Sequence, residues 1–218
     1  MFFPAFFRSY DNLWGMTPIP DGYTDLAPGR LAAVVTYLEM CRPPAADAAA
    51  GAVKPPAGVE IRLVEQPEAD WYRRLFRAVG EEWLWFSRMT WNDDELLSTI
   101  RHPQVDIYAL SCEGSDEGLL ELDRRRMPEI EIALFGITAR VIGRGVGRYF
   151  MSQALEFAWR HSPERVMLHT CTLDHPNALA FYLRSGFTAY KRAIEVAPDP
   201  RLTGALSRTA APQVPVIG

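Results

Sequence analysis

The sequence predicts an α/β (α+β) fold, a central mixed sheet flanked by helices, and three observations predict it. Short runs with period-two alternation or many β-branched residues recur along the chain. Amphipathic runs of helical period separate them. A glycine-punctuated segment, Phe135-Gly-Ile-Thr-Ala-Arg-Val-Ile-Gly-Arg-Gly-Val-Gly-Arg148, joins a strand directly to a helix. From residue 59 the order reads β-α-α-β-β-β-α-β-α-β, which sets the glycine segment in mid-sheet.

The elements follow in order. Residues 1–41 read as an N-terminal extension with one strand, Leu31–Glu39, rich in β-branched and aromatic residues. Residues 42–58 are rich in Pro, Ala and Gly and read as a linker or surface loop. A core domain over 59–197 opens with the alternating strand Val59–Val64. Periodicity predicts a helix over Ala69–Arg88, with Trp71, Leu75, Ala78, Val79 and Trp83 on one face. Asn92 is placed to cap a further helix, Glu95–Ile100, whose first turn is acidic. Val105–Cys112, Gly118–Asp123 and Glu129–Ile137 alternate as strands. After the glycine segment a helix runs to about Arg160, then a strand over Arg165–Thr172, a short helix over Pro176–Ser185 and a strand over Phe187–Val196. Residues 198–218 lack periodicity and read as an irregular tail.

Composition narrows the function classes. The chain has 218 residues, 48% of them hydrophobic, and a net charge of −4 without a long basic face, so nucleic acid is not an expected partner. Arg124-Arg-Arg126 is a basic triplet that reads as a solvated hairpin end. No stretch approaches the roughly 20 apolar residues of a membrane span. Three cysteines, Cys41, Cys112 and Cys171, without close pairing point to reduced thiols and a cytoplasmic setting. Phe2–Phe7 is an aromatic stretch that seeks cover from the domain or a second copy, as in a homodimer.

The glycine segment is an anion cradle. Gly143, Gly145 and Gly147 on alternate positions let a ligand approach the main chain, and the amides there join the positive end of the following helix. Arg144 and Arg148 add charge for phosphate oxygens. A P-loop needs Lys-Ser/Thr after its glycines, and none follows. A dinucleotide fingerprint needs G-x-G-x-x-G and an acid about twenty residues on, but the spacing differs and Met167 stands there.

From Glu131 to Phe187 the chain resembles the GNAT superfamily of acyl-CoA-dependent N-acetyltransferases. The resemblance rests on Glu131-Ile-Ala-Leu-Phe-Gly-Ile137, on Arg144-Gly-Val-Gly-Arg148, and on Ala178-x-x-x-Tyr182-x-x-x-Gly186-Phe187. It implies a mostly antiparallel sheet with a splayed strand pair that admits pantetheine, and acetyl-CoA as cosubstrate with no metal. The main chain of Phe135, Gly136 and Ile137 would face pantetheine. Ile142 to Arg148 (Ile142, Gly143, Arg144, Gly145, Val146, Gly147, Arg148) would face pyrophosphate. Ile142 stands where the superfamily commonly has Gln or Arg, so the cradle relies on backbone amides. His175 stands where an Asn is common, with Asn177 two residues on; both are cofactor candidates.

Acyl transfer to an amine needs a base for the amine and a proton for the leaving thiolate. On this resemblance Glu131 is the base, Glu129 its reserve on the same strand face, and Tyr182 the general acid. Trp85 and Trp91, among the aromatics of the first helical region, are candidate walls of an acceptor pocket. His169, Cys171, Asp174 and His175 lack a second ligand pair of recognisable spacing, so no metal site is expected. A Cys171 nucleophile is the minor chemical alternative. The expected activity is direct transfer from acetyl-CoA to a primary amine of a small molecule or protein. The rivals are a non-catalytic acyl-CoA-binding regulatory or scaffold module, and a nucleotide-phosphate binder using the same cradle.

Overall fold

The computed structural model describes residue 19, residues 21–44 and residues 54–218. Phe2–Phe7, and with it the expected cover by a second copy, lies outside the described residues, as does the middle of the 42–58 segment. Strands β1 (Arg30–Met40), β2 (Val59–Leu63), β3 (Val105–Cys112), β4 (Ser115–Arg126), β5 (Glu129–Ile137), β6 (Arg165–Cys171) and β7 (Thr188–Pro198) form one sheet in the order β2-β3-β4-β5-β6-β1-β7. Among the described residues only β5 and β6 are parallel neighbours; the other ladders are antiparallel.

Helices α1 (Ala69–Gly80) and α2 (Asp93–Ile100) cover one face, and α3 (Val146–Trp159) and α4 (Ala178–Arg184) the other. Alternation along each strand divides the apolar residues between two cores. Ile107, Ala109 and Leu119 meet Tyr72, Phe76 and Leu96 beneath α1 and α2. Leu120, Leu122, Ile130 and Ile132 meet Phe150, Met151 and Ala154 beneath α3.

The N-terminal strand is the main departure in topology. The sequence reading sets it in an extension ahead of the domain. It lies instead inside the sheet, antiparallel to both β6 and β7, with Tyr37 opposite His169 on one side and Lys191 on the other. The gap between β6 and β7 is one strand wide, and β1 satisfies the backbone groups on both its edges.

The long helix expected to Arg88 ends at Gly80. A Cβ at Gly80 would come within 2.4 Å of the Trp85 side chain, so the indole takes the space beside the last turn. Leu84 adopts a left-handed conformation, φ 56°, and 3-10 turns at 81–83 and 87–89 complete the break. The buried face of α1 is also rotated from the expected one: Tyr72 and Phe76 are fully buried, while Ala78 is exposed and Trp71 half-buried. Asn92 does cap α2, in a reciprocal capping box with Glu95.

One local irregularity prepares the site. Glu121 pairs with Leu134 and Leu122 with Ile132, so Ala133 is an extra residue in β5. Such a bulge bends its strand and increases its twist. The β5–β6 ladder holds only Glu129–Arg165, Ile130–Val166 and Glu131–Met167. Beyond it the strands part.

Candidate active site

The glycine segment leaves the end of β5 and turns into α3. Gly143 and Gly145 have φ of 81° and 78°, and a Cβ on either would meet nothing within 4 Å. Their requirement is therefore the left-handed backbone and open space above it. Gly147 lies inside the helix, where an added Cβ would make ordinary contact with Ile137 at 3.4 Å. Gly145 is the N-cap residue and offers no side chain, so the first-turn amides of α3, from Val146, Gly147 and Arg148, have no intrahelical acceptor. The entry to the turn is anchored by Glu117, which accepts from Thr138 and pairs with Arg140 at 3.1 Å. Arg148 and Ile142 are exposed, and exposed Arg144 lies 3.7 Å from Glu113. This uncapped helix start with an open left-handed turn fits a pyrophosphate.

Next to it lies the parted strand pair. Phe135, Gly136 and Ile137 pair with β4 on one edge, and the ladder to β6 has ended on the other. That edge can accept an extended chain of amides as an added strand. Trp85 walls this opening on the α1 side. A Cβ at Gly136 would lie 3.0 Å from its ring and 2.4 Å from Val79. Its Nε1 donates to Asp174 Oδ1 at 3.1 Å, beyond the end of β6. Asp174 is itself held by Thr170 Oγ1 and the Cys171 amide, at 2.7 and 2.8 Å.

Acid and base candidates face opposite sides of the sheet. Glu131 points to the α1 side, 17% exposed, with its Oε1 3.6 Å from Nδ1 of His169. Burial works against the charged form of His169, but the nearby carboxylate of Glu131, with Asp174 and Glu195 behind it, raises its pKa. Glu129 is engaged by Arg165, which also holds Glu39 at 2.9 Å, so the reserve carboxylate is already paired. Tyr182 lies on the α3 side among Phe135, Phe181 and Phe187. Burial, then the charge of Asp174, drives its pKa well upward, so the phenol stays protonated.

The remaining candidates are spread around this centre. His175 packs edge-on against Trp83 at 4.9 Å, and its Nδ1 accepts from the Asn177 amide at the start of α4. Trp91 is covered by the Arg88 guanidinium, 4.2 Å from its ring centroid. Cys171 is pushed up to about 11 by burial and then by Asp174, which works against a thiolate nucleophile.

Sequence reasoning missed two clusters. Glu121 on β4 is fully buried, accepting from Tyr72 at 2.5 Å and Arg88 at 2.6 Å. An acid inside the apolar run Gly118-Leu-Leu-Glu-Leu122 is the signal that could have found it. The irregular tail is the second. Arg201, paired with Asp199 at 2.7 Å, donates to the carbonyls of Ala210, Ala211 and Val214. Leu206, Ala210 and Ala211 thereby pack on Leu84, beside Phe86 and Leu173, and Gln213 donates to the Glu82 carbonyl. The tail thus packs against the 82–89 loop and the turn after β6.

Residues 64–187, more than half of the chain, match the family described as acetyltransferase (GNAT) family. The chain belongs to the GNAT family. Its fold is shared with solved structures at low identity. A functionally unknown conserved protein from Staphylococcus epidermidis superposes with TM-score 0.57 at 15% identity, over 78% of this chain and 64% of the other. A GCN5-related N-acetyltransferase from Sphaerobacter thermophilus gives 0.56 at 15% identity, over 78% and 52%. An aminoglycoside acetyltransferase from an uncultured soil metagenomic sample gives 0.51 at 17% identity, over 63% and 93%. The chain spans about half to two thirds of the length of the first two. Comparison with curated proteins finds no match. The seven-stranded, mostly antiparallel sheet flanked by helices is the fold shared with these neighbours. No helix among the described residues of this GNAT chain is long and apolar enough to cross a membrane.

Proposed function

We propose that this chain is an N-acetyltransferase that moves an acetyl group from acetyl-CoA to a primary amine by direct transfer in a ternary complex. The observation that carries this reading is the slot where β5 and β6 part. It has a carboxylate–imidazole pair, Glu131 and His169, on one face and a buried, protonated phenol, Tyr182, on the other.

Gly143, Gly145 and the α3 first turn would hold the pyrophosphate, and the free edge of Phe135–Ile137 the pantetheine amides. His175 and Asn177, on the turn after β6, are the side-chain candidates near that arm. Bound acetyl-CoA supplies a thioester carbonyl open to attack by an amine. The Glu131–His169 centre removes the amine proton on the α1 face. Tyr182 holds a proton at Oη for the departing sulfur.

The acceptor enters between Trp85, the 84–89 loop and the tail. Glu131, Asp174 and Glu195 surround His169. This acidity favours a cationic acceptor, such as a polyamine, an aminoglycoside or a protein amino group.

Titration with acetyl-CoA, followed by thiol release against amino acids, polyamines, aminoglycosides and peptide N-termini, tests the reading. Binding and turnover with a cationic amine are expected. Binding without thiol release across the panel would instead mark an acyl-CoA-binding scaffold. Competition by ATP or NAD but not CoA would mark a nucleotide-phosphate binder.

A further inference from the structure

We propose that His169 is the group that takes the acceptor's proton, with Glu131 as its orienting and charge-balancing partner. This rests on the acetyl-transfer reading above.

Glu131 and Met167 are the last pair of the β5–β6 ladder, and His169 is the next residue of β6 on the same face. It is therefore the first side chain of that face inside the parted region, while Glu131 sits at its closed end. Exposure follows the same order: the His169 side chain is 38% exposed and that of Glu131 17%. The imidazole is the more accessible of the two to an incoming amine.

Orientation supports the same assignment. Nδ1 faces Glu131 Oε1, so Nε2 on the opposite edge of the ring is the proton-accepting atom. The ring also lies 5.7 Å from Tyr37 of β1, which limits its swing. A base held by a carboxylate through its second nitrogen is a recurrent solution for activating nucleophiles.

An acceptor ammonium loses one proton to Nε2 of neutral His169. As the C–N bond forms and the C–S bond breaks, Tyr182 Oη gives its proton to sulfur and regains the second proton lost from nitrogen. The products are an N-acetyl amide, a free thiol and an imidazolium beside Glu131, which releases its proton to water.

The groups facing His169 set the sign of the pH dependence. Glu131 from β5, Asp174 from the turn after β6 and Glu195 from β7 favour the imidazolium. Lys191 of β7, stacked on Tyr37 at 4.8 Å, is the nearby cation. His169 must be neutral to act, so the acid limb of kcat/KM lies above the ordinary histidine value.

The test measures kcat/KM against pH, together with an NMR titration of the histidines in the protein without acetyl-CoA. His169→Gln should lower kcat roughly 100-fold with unchanged acetyl-CoA affinity and melting temperature. It should also remove one upward-shifted imidazole from the spectrum. Glu131→Gln should keep measurable activity and move both the acid limb and that imidazole to lower pH. If the wild type turns over and His169→Gln retains its kcat while Glu131→Gln is inactive, Glu131 is the base and this proposal falls alone. If the wild type releases no thiol with any amine, the acetyl-transfer reading falls and the base assignment with it.

Discussion

The indole N–H of Trp85 donates to Asp174 at 3.1 Å, so one side chain spans from the α1 region to the far arm of the parted strands. It can lie flat there because Gly80 and Gly136 have no Cβ where its ring sits. On the proposed reading this wall would separate the acceptor from the edge of β5 that would hold pantetheine. Gly136→Ala sets a methyl against Val79 and Trp85 and should cost about 1–3 kcal/mol. Val79→Ala in the same chain should return part of that loss. A double-mutant cycle by urea unfolding should give a coupling of at least about 0.5 kcal/mol, and simple additivity would mean the wall yields elsewhere.

The cradle depends on backbone shape more than on charge. Gly145→Val forces a β-branched residue into a left-handed conformation at the N-cap of α3, a strain of about 1–2 kcal/mol. Calorimetry should show acetyl-CoA affinity reduced about tenfold or more, since 1.4 kcal/mol is a factor of ten. Ile142→Ala should leave it nearly unchanged, and equal losses in the two variants would refute a main-chain cradle.

Tyr182 is buried and kept protonated, on the opposite face of the sheet from Glu131 and His169. Tyr182→Phe removes a single oxygen and should lower kcat roughly 100-fold, with acetyl-CoA affinity little changed. Wild-type turnover in this variant would end the general-acid role.

Asp199 and Arg201 are 1% and 2% exposed and hold the tail closed. Arg201→Met leaves a buried carboxylate unpaired and should cost about 3 kcal/mol. Hydrogen bonding to Arg201, against the opposing effect of burial, depresses the Asp199 pKa. Its contribution is therefore complete above the ordinary aspartate value and is lost as pH falls through the lower folded value. The gap in melting temperature between wild type and variant should be widest above about pH 4. It should narrow in stronger acid. On the proposed acceptor entry beside the tail, acceptor KM should rise in the variant while acetyl-CoA affinity holds.

Most strands were legible because burial on one or both faces imposes alternation or β-branched runs on the chain itself. Val105–Cys112 and Glu129–Ile137 were read to the residue. The glycine turn was legible because left-handed backbone selects glycine at Gly143 and Gly145, and the Asn92 cap because its side chain satisfies an amide three residues away. Helix length was not: periodicity continues through Arg88, but a ring distant in the fold stops α1 at Gly80.

What the sequence by itself determined is the set of local structures whose causes lie within a few residues: strands, caps, the cradle and the family motifs around Tyr182. Tertiary structure alone decided which of them meet. β1 enters between β6 and β7 because two open edges, set by residues more than 120 positions away, need its backbone groups. Glu131 meets His169, Glu129 meets Arg165, and Glu121 meets Tyr72 and Arg88 because register brings separate segments within hydrogen-bond or ion-pair reach. Such pairings leave no periodic trace along the chain, since a buried charge is settled by a partner in space rather than by a neighbour in sequence.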